Sequence, residues 1–348
     1  VGVKEWLRAG VGLLFGVVFA EVLVRVVMAT TSVPATVAHR YGPDSERLGW
    51  LYARRVRGPD NVFVEDPDIG WISHPGQHRG EGWTANVTAE GVRAPAPASK
   101  ERTPGKVRLA AFGDSFGFGW DQSDDHTWQA ELLARAPDLE IANLAVCGHD
   151  TGQALLRYRR DGRAWQPDVV LLAYNKLLLG RTVEPFTMYQ RPIIPAERGV
   201  FEPEGVPIPS QEAMETALWA RPQLLMVLGM ARHAWWGQGG RWQVAERRSA
   251  ALLDRFVEEV KADGRTPIVA WFVTPDEVRQ VAEGGAPDVR CPKDQGVACV
   301  DLTAPLVSLY RMGVEVEQGT HWSDPAAKAV ADQLAAVLRE RGLIGGGG

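Results

Sequence analysis

A serine set among glycines at the end of an apolar run is the stretch of this sequence most able to do chemistry. Gly113-Asp114-Ser115-Phe116-Gly117 follows Val107 to Phe112, where five of six residues are apolar. Such a run reads as a buried strand, so Ser115 falls where that strand must end. Parallel sheets bind ligands outside the carboxyl ends of their strands, and glycine lets the backbone turn sharply enough to expose a hydroxyl. Ser115 is therefore a candidate nucleophile. The alternatives are that it caps the next helix or that the glycines cradle a phosphate, although the Gly-Lys-Ser/Thr of a Walker loop is absent.

Gly113-Asp114-Ser115-Phe116 resembles the first block of the SGNH (GDSL-type) hydrolases, which carry a serine nucleophile just after the first strand. Further stretches resemble later blocks in the family's order. Asn143-Leu-Ala-Val-Cys-Gly148 is similar to the second, whose glycine donates a backbone N–H to the oxyanion. Val169-Val-Leu-Leu-Ala-Tyr-Asn175 is similar to the third, a strand ending in an oxyanion-hole asparagine, and Gly319-Thr-His321-Trp322 to the fifth, which holds the catalytic histidine. The resemblance covers about residues 105 to 343. It implies catalytic roles for Ser115 and His321 and an oxyanion hole from the Ser115 and Gly148 N–H groups and the Asn175 side chain.

The chain departs from that pattern at two places. The third block usually reads Gly-x-Asn-Asp, whereas here it is Ala173-Tyr-Asn-Lys176, which keeps the asparagine. The family's aspartate three residues before the histidine is replaced by Gln318. An amide can orient an imidazole but cannot offset the charge that develops on it as serine attacks. The expectation is a Ser–His dyad aided by Gln318, with Glu317 as second choice and His149 as a lesser alternative base. Attack on an ester then gives an acyl-enzyme. Water as acceptor makes the protein an esterase acting on O-acyl groups of a carbohydrate or cell-envelope substrate, and a sugar hydroxyl makes it an acyltransferase. A catalytically impaired module that binds an acylated glycan or a protein is the third reading. No metal cluster or cofactor fingerprint is visible.

The elements that must hold these residues alternate regularly. Strands are expected at 107–112, 139–144, 168–174, 267–273 and 297–302, with helices at 127–135, 150–165, 211–236, 241–263, 304–312 and from 325 onward. This alternation predicts an α/β protein with a parallel sheet covered on both faces. With the family resemblance it becomes a three-layer αβα sandwich of about five strands, flavodoxin-like in order. Asp150-Thr-Gly-Gln153 has the spacing of a capping box, which makes Asp150 a cap rather than an acid. Ser323 or Asp324 caps the last helix. Residues 180–210 carry six prolines and no period, a candidate lid or acceptor-binding wall. Residues 31–104 read as a lead-in subdomain with short strands and a linker, 105–343 as the hydrolase-like domain, and 344–348 as a glycine tail. Asp68-Ile-Gly-Trp71, Asn86 and Glu90-Gly-Val-Arg93 resemble the segment that precedes the catalytic block in anchored members of the family.

Composition bounds the partners. A net charge of −5 without a basic run gives no electrostatic reason to expect nucleic acid. Thirteen tryptophans suit packing and are compatible with a sugar-binding surface. Trp120 and Trp322, beside the two reacting residues, can line a cleft or fill a core, and Lys176 or Arg181 can meet an anionic substrate. Cys291 and Cys299 can pair in an oxidising compartment or remain free thiols, and Cys147 reads as a small buried residue. Ala9 to Ala29 is apolar except for Glu21 and Arg25, a length that matches one bilayer span. These two charges, four apart, can pair on a helix and favour residues 1–30 as a transmembrane anchor. A cleaved signal peptide is the main alternative, since Val27-Met28-Ala29 resembles a cleavage site, and a buried or partner-packed helix is the third. Lys4 and Arg8 on one side and Arg40 and Arg47 on the other leave orientation undecided by charge. Resemblance to anchored bacterial members implies a single-pass inner-membrane protein with its catalytic domain outside the cytoplasm.

Overall fold

A computed structural model of the chain describes residues 2–33, 42–57, 62–97, 99–236, 240–294 and 296–345. Arg40 and residues 346–348, named above, lie outside them. The first element, α1 (Val3–Thr30), is 28 residues and contains an 18-residue stretch with a mean hydropathy of 2.3, long and apolar enough to cross a membrane. It is followed by α2 (Pro43–Arg57) and two antiparallel hairpins, β1 (Phe63–Asp66) with β2 (Gly70–Ser73) and β3 (Gly76–Gly80) with β4 (Trp83–Val87). The hairpins match the short lead-in strands expected from the sequence. Helix α2 was not expected there. Pro43, Asp44 and Glu46 in its first turn are start signals, and its Leu48, Leu51 and Tyr52 are buried.

Five strands then form the central sheet: β5 (Val107–Gly113), β6 (Leu139–Asn143), β7 (Val169–Tyr174), β8 (Thr266–Trp271) and β9 (Ala298–Asp301). They pair in parallel in the order β6-β5-β7-β8-β9. Counted from β5 this is 2-1-3-4-5, the flavodoxin-like doubly wound order, whose ligand crevice lies where the order reverses, beside the first strand. Every residue of β7 is buried, because helices cover both faces of the sheet. Between the strands lie α3 (Ser115–Phe118), α4 (Trp128–Arg135), α5 (Thr151–Arg160), α6 (Lys176–Arg181), α7 (Gln211–Ala220), α8 (Gln223–Trp236), α9 (Arg241–Ala262), α10 (Pro275–Ala282) and α11 (Thr303–Arg311). A two-residue hairpin, β10 (Glu317–Gln318) with β11 (His321–Trp322), leads into α12 (Asp324–Glu340). Helix α12 buries Ala326, Ala327, Val330, Ala331, Leu334, Ala335 and Leu338, one stripe at helical spacing.

The αβα architecture and all five expected strands are present, each to within a residue or two. The single helix expected over 211–236 is two helices, because Pro222 cannot donate a hydrogen bond to continue the first. Helices α6 and α10 were not expected. Each is a turn or two long, too short for a periodic pattern to show. Asp150 caps its helix as the sequence implies, in a full capping box with Gln153, and of the two candidates for the last helix it is Ser323 that caps; Thr127, expected inside its helix, is the cap of α4. Cys291 and Cys299 are joined in a disulfide, and Cys147 is buried and free.

Candidate active site

Strand β5 ends at Gly113, whose φ of 146° suits glycine, and a Cβ there would sit 2.6 Å from the Ala173 carbonyl oxygen of β7. That close approach lets the chain leave the sheet at once. Asp114 caps α3 by accepting the Phe116 N–H at 3.0 Å, which places Ser115 on the first turn at the reversal of strand order. Its side chain opens into a cavity of about 460 Å³ lined also by Phe63, Trp120, Gly148, Arg181, Met188 and His321.

The imidazole beside this serine arrives from the other end of the chain. The β10–β11 hairpin turns at Gly319 and Thr320, and His321 Nε2 lies 2.8 Å from Ser115 Oγ. Its Nδ1 lies 2.8 Å from Oδ2 of Asp121. With the Nδ1 proton directed at the carboxylate, Nε2 accepts the serine hydroxyl proton. Burial opposes ionisation of Asp121, but hydrogen bonds from His321 and the Thr320 N–H hold its carboxyl below the ordinary value. Asp121 has φ 64°, a left-handed conformation that aspartate tolerates better than most residues. Gly319, at φ 63°, is equally constrained, since a Cβ there would lie 2.6 Å from Asp121 Oδ2.

Gln318, expected to stand in for the missing acid, is not bonded to the imidazole. Its Nε2 donates instead to the Asp121 backbone carbonyl at 2.7 Å, so it braces the loop that supplies the carboxylate. Glu317 is paired with Arg279. Asp121 itself received no role in the sequence reading, because it is six residues past Ser115 and 200 residues from His321. The signal that could have marked it is an acidic residue in the turn directly after a Gly-Asp-Ser helix.

Of the three expected oxyanion donors, Ser115 and Gly148 line the cavity, and among the described residues neither backbone N–H is taken by another acceptor. Asn175 is fully buried behind them. Its Oδ1 accepts the Leu177 and Leu178 N–H groups, which starts α6, and its Nδ2 donates to Asp114 Oδ1 at 3.1 Å. Arg181 donates to the other Asp114 oxygen at 2.9 Å while facing the cavity. Asp114 thus ties the Ser115 turn to β7 and α6. His149 is no alternative base: burial drives its pKa down to about 3, and Nε2 is bonded to the Trp71 carbonyl. Burial likewise pushes the Cys147 thiol up, making it a poor nucleophile. Trp120 lines the cavity, whereas Trp322 is packed on Phe272 in the core with its Nε1 donating to Val273. Asp324 bonds His126, not His321.

The lead-in hairpins complete the site. Trp71 Nε1 donates to the Cys147 carbonyl at 2.9 Å, fixing the peptide that carries the Gly148 N–H. Asn86 holds Asp124 through Nδ2 at 2.6 Å, and buried Arg93 donates to the Gln122 carbonyl at 2.7 Å. Trp83 adds a hydrogen bond that favours the ionised Asp121. Each stretch of the lead-in motif therefore braces either the Gly148 turn or the 121–124 loop.

No family model matches the chain, and no curated protein matches it. Among solved structures it is similar to a member of the lipolytic protein G-D-S-L family from Veillonella parvula, at 11% identity and TM-score 0.37 over 67% of this chain and 98% of that one. It is also similar to a GDSL-like lipase from Bacteroides thetaiotaomicron, at 11% identity and TM-score 0.37 over 70% and 92%. A third is a catalytic mutant of an acetylxylan esterase from Geobacillus stearothermophilus, at 14% identity and TM-score 0.36 over 70% and 97%. Likeness at this level decides nothing about activity. The fold stands on its strand order and the site on its own distances.

Proposed function

We propose that the chain is a membrane-anchored serine esterase of the SGNH type, removing O-acyl groups from a carbohydrate or cell-envelope substrate through Ser115, His321 and Asp121. The observation that carries this reading is the unbroken relay Ser115 Oγ to His321 Nε2 to Asp121 Oδ2, with both contacts at 2.8 Å and the serine opening into a cavity. His321 takes the Ser115 proton as Oγ attacks the ester carbonyl, and Asp121 offsets the imidazolium that forms. The Ser115 and Gly148 N–H groups receive the oxyanion, a role in which each donor is typically worth about 2.7–4 kcal/mol. Asn175 contributes from behind, through the remaining Nδ2 hydrogen and by holding Asp114. His321 then protonates the leaving alcohol, and water repeats the sequence on the acyl-enzyme. Gln318 is a positioning residue for Asp121, not the acid's replacement. Phe63 and Trp120 on the cavity wall favour a sugar ring, which stacks on aromatic faces.

The compartment reading is that α1 anchors a single-pass protein whose catalytic domain faces the oxidising side, supported by the Cys291–Cys299 bridge. Acetate release from a panel of acetylated sugars, measured for the wild type and Ser115→Ala, tests the activity. Equal release by both sinks the serine mechanism, and acetate appearing on an added sugar rather than in solution turns the esterase into a transferase. Labelling by a serine-directed phosphonate must require both Ser115 and His321.

A further inference from the structure

The two charges inside α1 are not merely paired with each other. Arg25 Nε bonds Glu21 at 2.7 Å, and its Nη2 also donates to the carbonyls of Trp219 and Arg221 at 3.1 Å each, at the end of α7. Glu21 accepts the backbone N–H groups of Gln223 at 2.8 Å and Leu224 at 2.7 Å, the unsatisfied donors at the start of α8. An acid and a base on the anchor thus fasten the α7–α8 corner by its own exposed backbone groups. Met28 of α1 shares one buried cluster with Leu218 of α7 and Met226 and Met230 of α8.

Helix length places that corner in depth. At about 1.5 Å per residue α1 exceeds the roughly 30 Å hydrocarbon core of a bilayer. If the core runs from Ala9, past the charges of Lys4 and Arg8, about 20 residues end it near Met28 and leave Glu21 about 10 Å below the boundary. Sliding the core one turn toward the N-terminus still leaves Glu21 within about two turns of that boundary. The start of α8, bonded to Glu21, is carried to the same level.

Helix α8 has the composition for that place. From Leu224 to Ala231 it has no polar side chain. One face is buried through Met226 and Met230, while the opposite stripe exposes Leu225 at 62% and Leu228 at 54%. A helix that is apolar all round needs an apolar medium on each side. Farther along lie Arg232 and the 82% exposed Trp235, types that settle at headgroup level.

We infer that α8 is a second membrane contact, its Leu225–Leu228 stripe lying in lipid at the hydrocarbon boundary beside α1, so that the anchor and α8 together fix the hydrolase domain against the bilayer surface. The inference rests on α1 occupying a bilayer. The occupant is lipid because the Glu21 and Arg25 bonds hold the start of α8 against α1, whose own apolar side chains, such as Phe15 and Phe19, are exposed in the same way.

Cys147 is buried and Cys291 and Cys299 are bridged, so single cysteines can be labelled cleanly. The full chain, reconstituted in bilayers of phosphatidylethanolamine and phosphatidylglycerol, is labelled with a nitroxide at Leu225→Cys, Leu228→Cys, Phe15→Cys or Met312→Cys. Phe15 lies within α1, and Met312 is exposed on the hydrolase domain. Accessibility is read with oxygen, which concentrates in lipid, and with a water-soluble nickel chelate. The expected result is that Leu225→Cys and Leu228→Cys share the oxygen preference of Phe15→Cys, the reverse of Met312→Cys. Nickel access at 225 and 228 like that at 312, with Phe15 still in lipid, overturns the inference alone. Protection from both reagents also overturns it, in favour of a second copy or a protein partner. Nickel access at Phe15 as well removes the bilayer anchor and the inference with it.

Discussion

Two histidine–aspartate pairs connect the same two stretches of chain, residues 121–126 and 321–324, and they are crossed. Asp121 of the first stretch meets His321 of the second at 2.8 Å, while His126 of the first meets Asp324 of the second at 2.5 Å. The first pair lies at a cavity with Ser115 against its free nitrogen, and the second is half exposed with no nucleophile bonded to it. Chemistry therefore does not follow from the pair itself. In both pairs Nδ1 meets the carboxylate and Nε2 is left over, so the difference is what Nε2 faces: Ser115 Oγ in the first and the Asp125 carboxylate in the second.

Breaking the inner pair should give the largest effect. Asp121→Asn is expected to lower ester turnover by about 10⁴-fold, the loss seen when a triad aspartate becomes its amide in serine proteases, measured as kcat with an acetylated sugar. A loss under tenfold would return the role of acid to another group. Gly319→Ala should come next. Its Cβ would strike Asp121 Oδ2 and its backbone would keep a left-handed conformation, so turnover should fall by roughly 10² for a displacement on the order of 1 Å. The same variant should lose about 1–2 kcal/mol in urea melts.

Acidity sharpens the contrast because the two pairs have opposite signs. Asp121 is held below its ordinary 3.8, so its contribution to stability is complete above that value and is lost as pH falls through the lower folded value. His126 is raised above its ordinary 6.5, chiefly by its hydrogen bond to Asp324, so its contribution is complete below that value and is lost as pH rises through the folded one. Urea melts of Asp121→Asn and Asp324→Asn across pH should diverge accordingly, and parallel curves would show that the carboxylates do not act through these histidines. Smallest of all, Asp324→Asn should leave turnover within about twofold and cost about 1 kcal/mol or less, as an exposed ion pair at a helix N-terminus does.

The comparison also marks where sequence reasoning stops. Asp324, three residues past His321, is close in sequence and bonds elsewhere. Asp121 is remote and sits at the ring, and Gln318, at the position where the acid was sought, directs its side-chain amide to the backbone carbonyl of the residue that supplies it. The lead-in motif likewise had no physical meaning until Trp71, Asn86 and Arg93 were seen to brace the Gly148 turn and the 121–124 loop. The charges at 21 and 25 were legible as a helical pair, but their hold on the α7–α8 corner was not.

What the sequence determined by itself was local: five strands as apolar runs, the capping box at Asp150, a cap at Ser323 or its neighbour Asp324, a membrane-length helix, and a serine where β5 must end. These are set by neighbours a few residues away, through periodicity and backbone hydrogen bonding. Tertiary structure alone decided which carboxylate meets His321, that Asn175 stands behind the cavity rather than in it, and what Glu21 and Arg25 hold. Such contacts depend on where two separately anchored loops pass each other, and no local pattern encodes a separation of 200 residues.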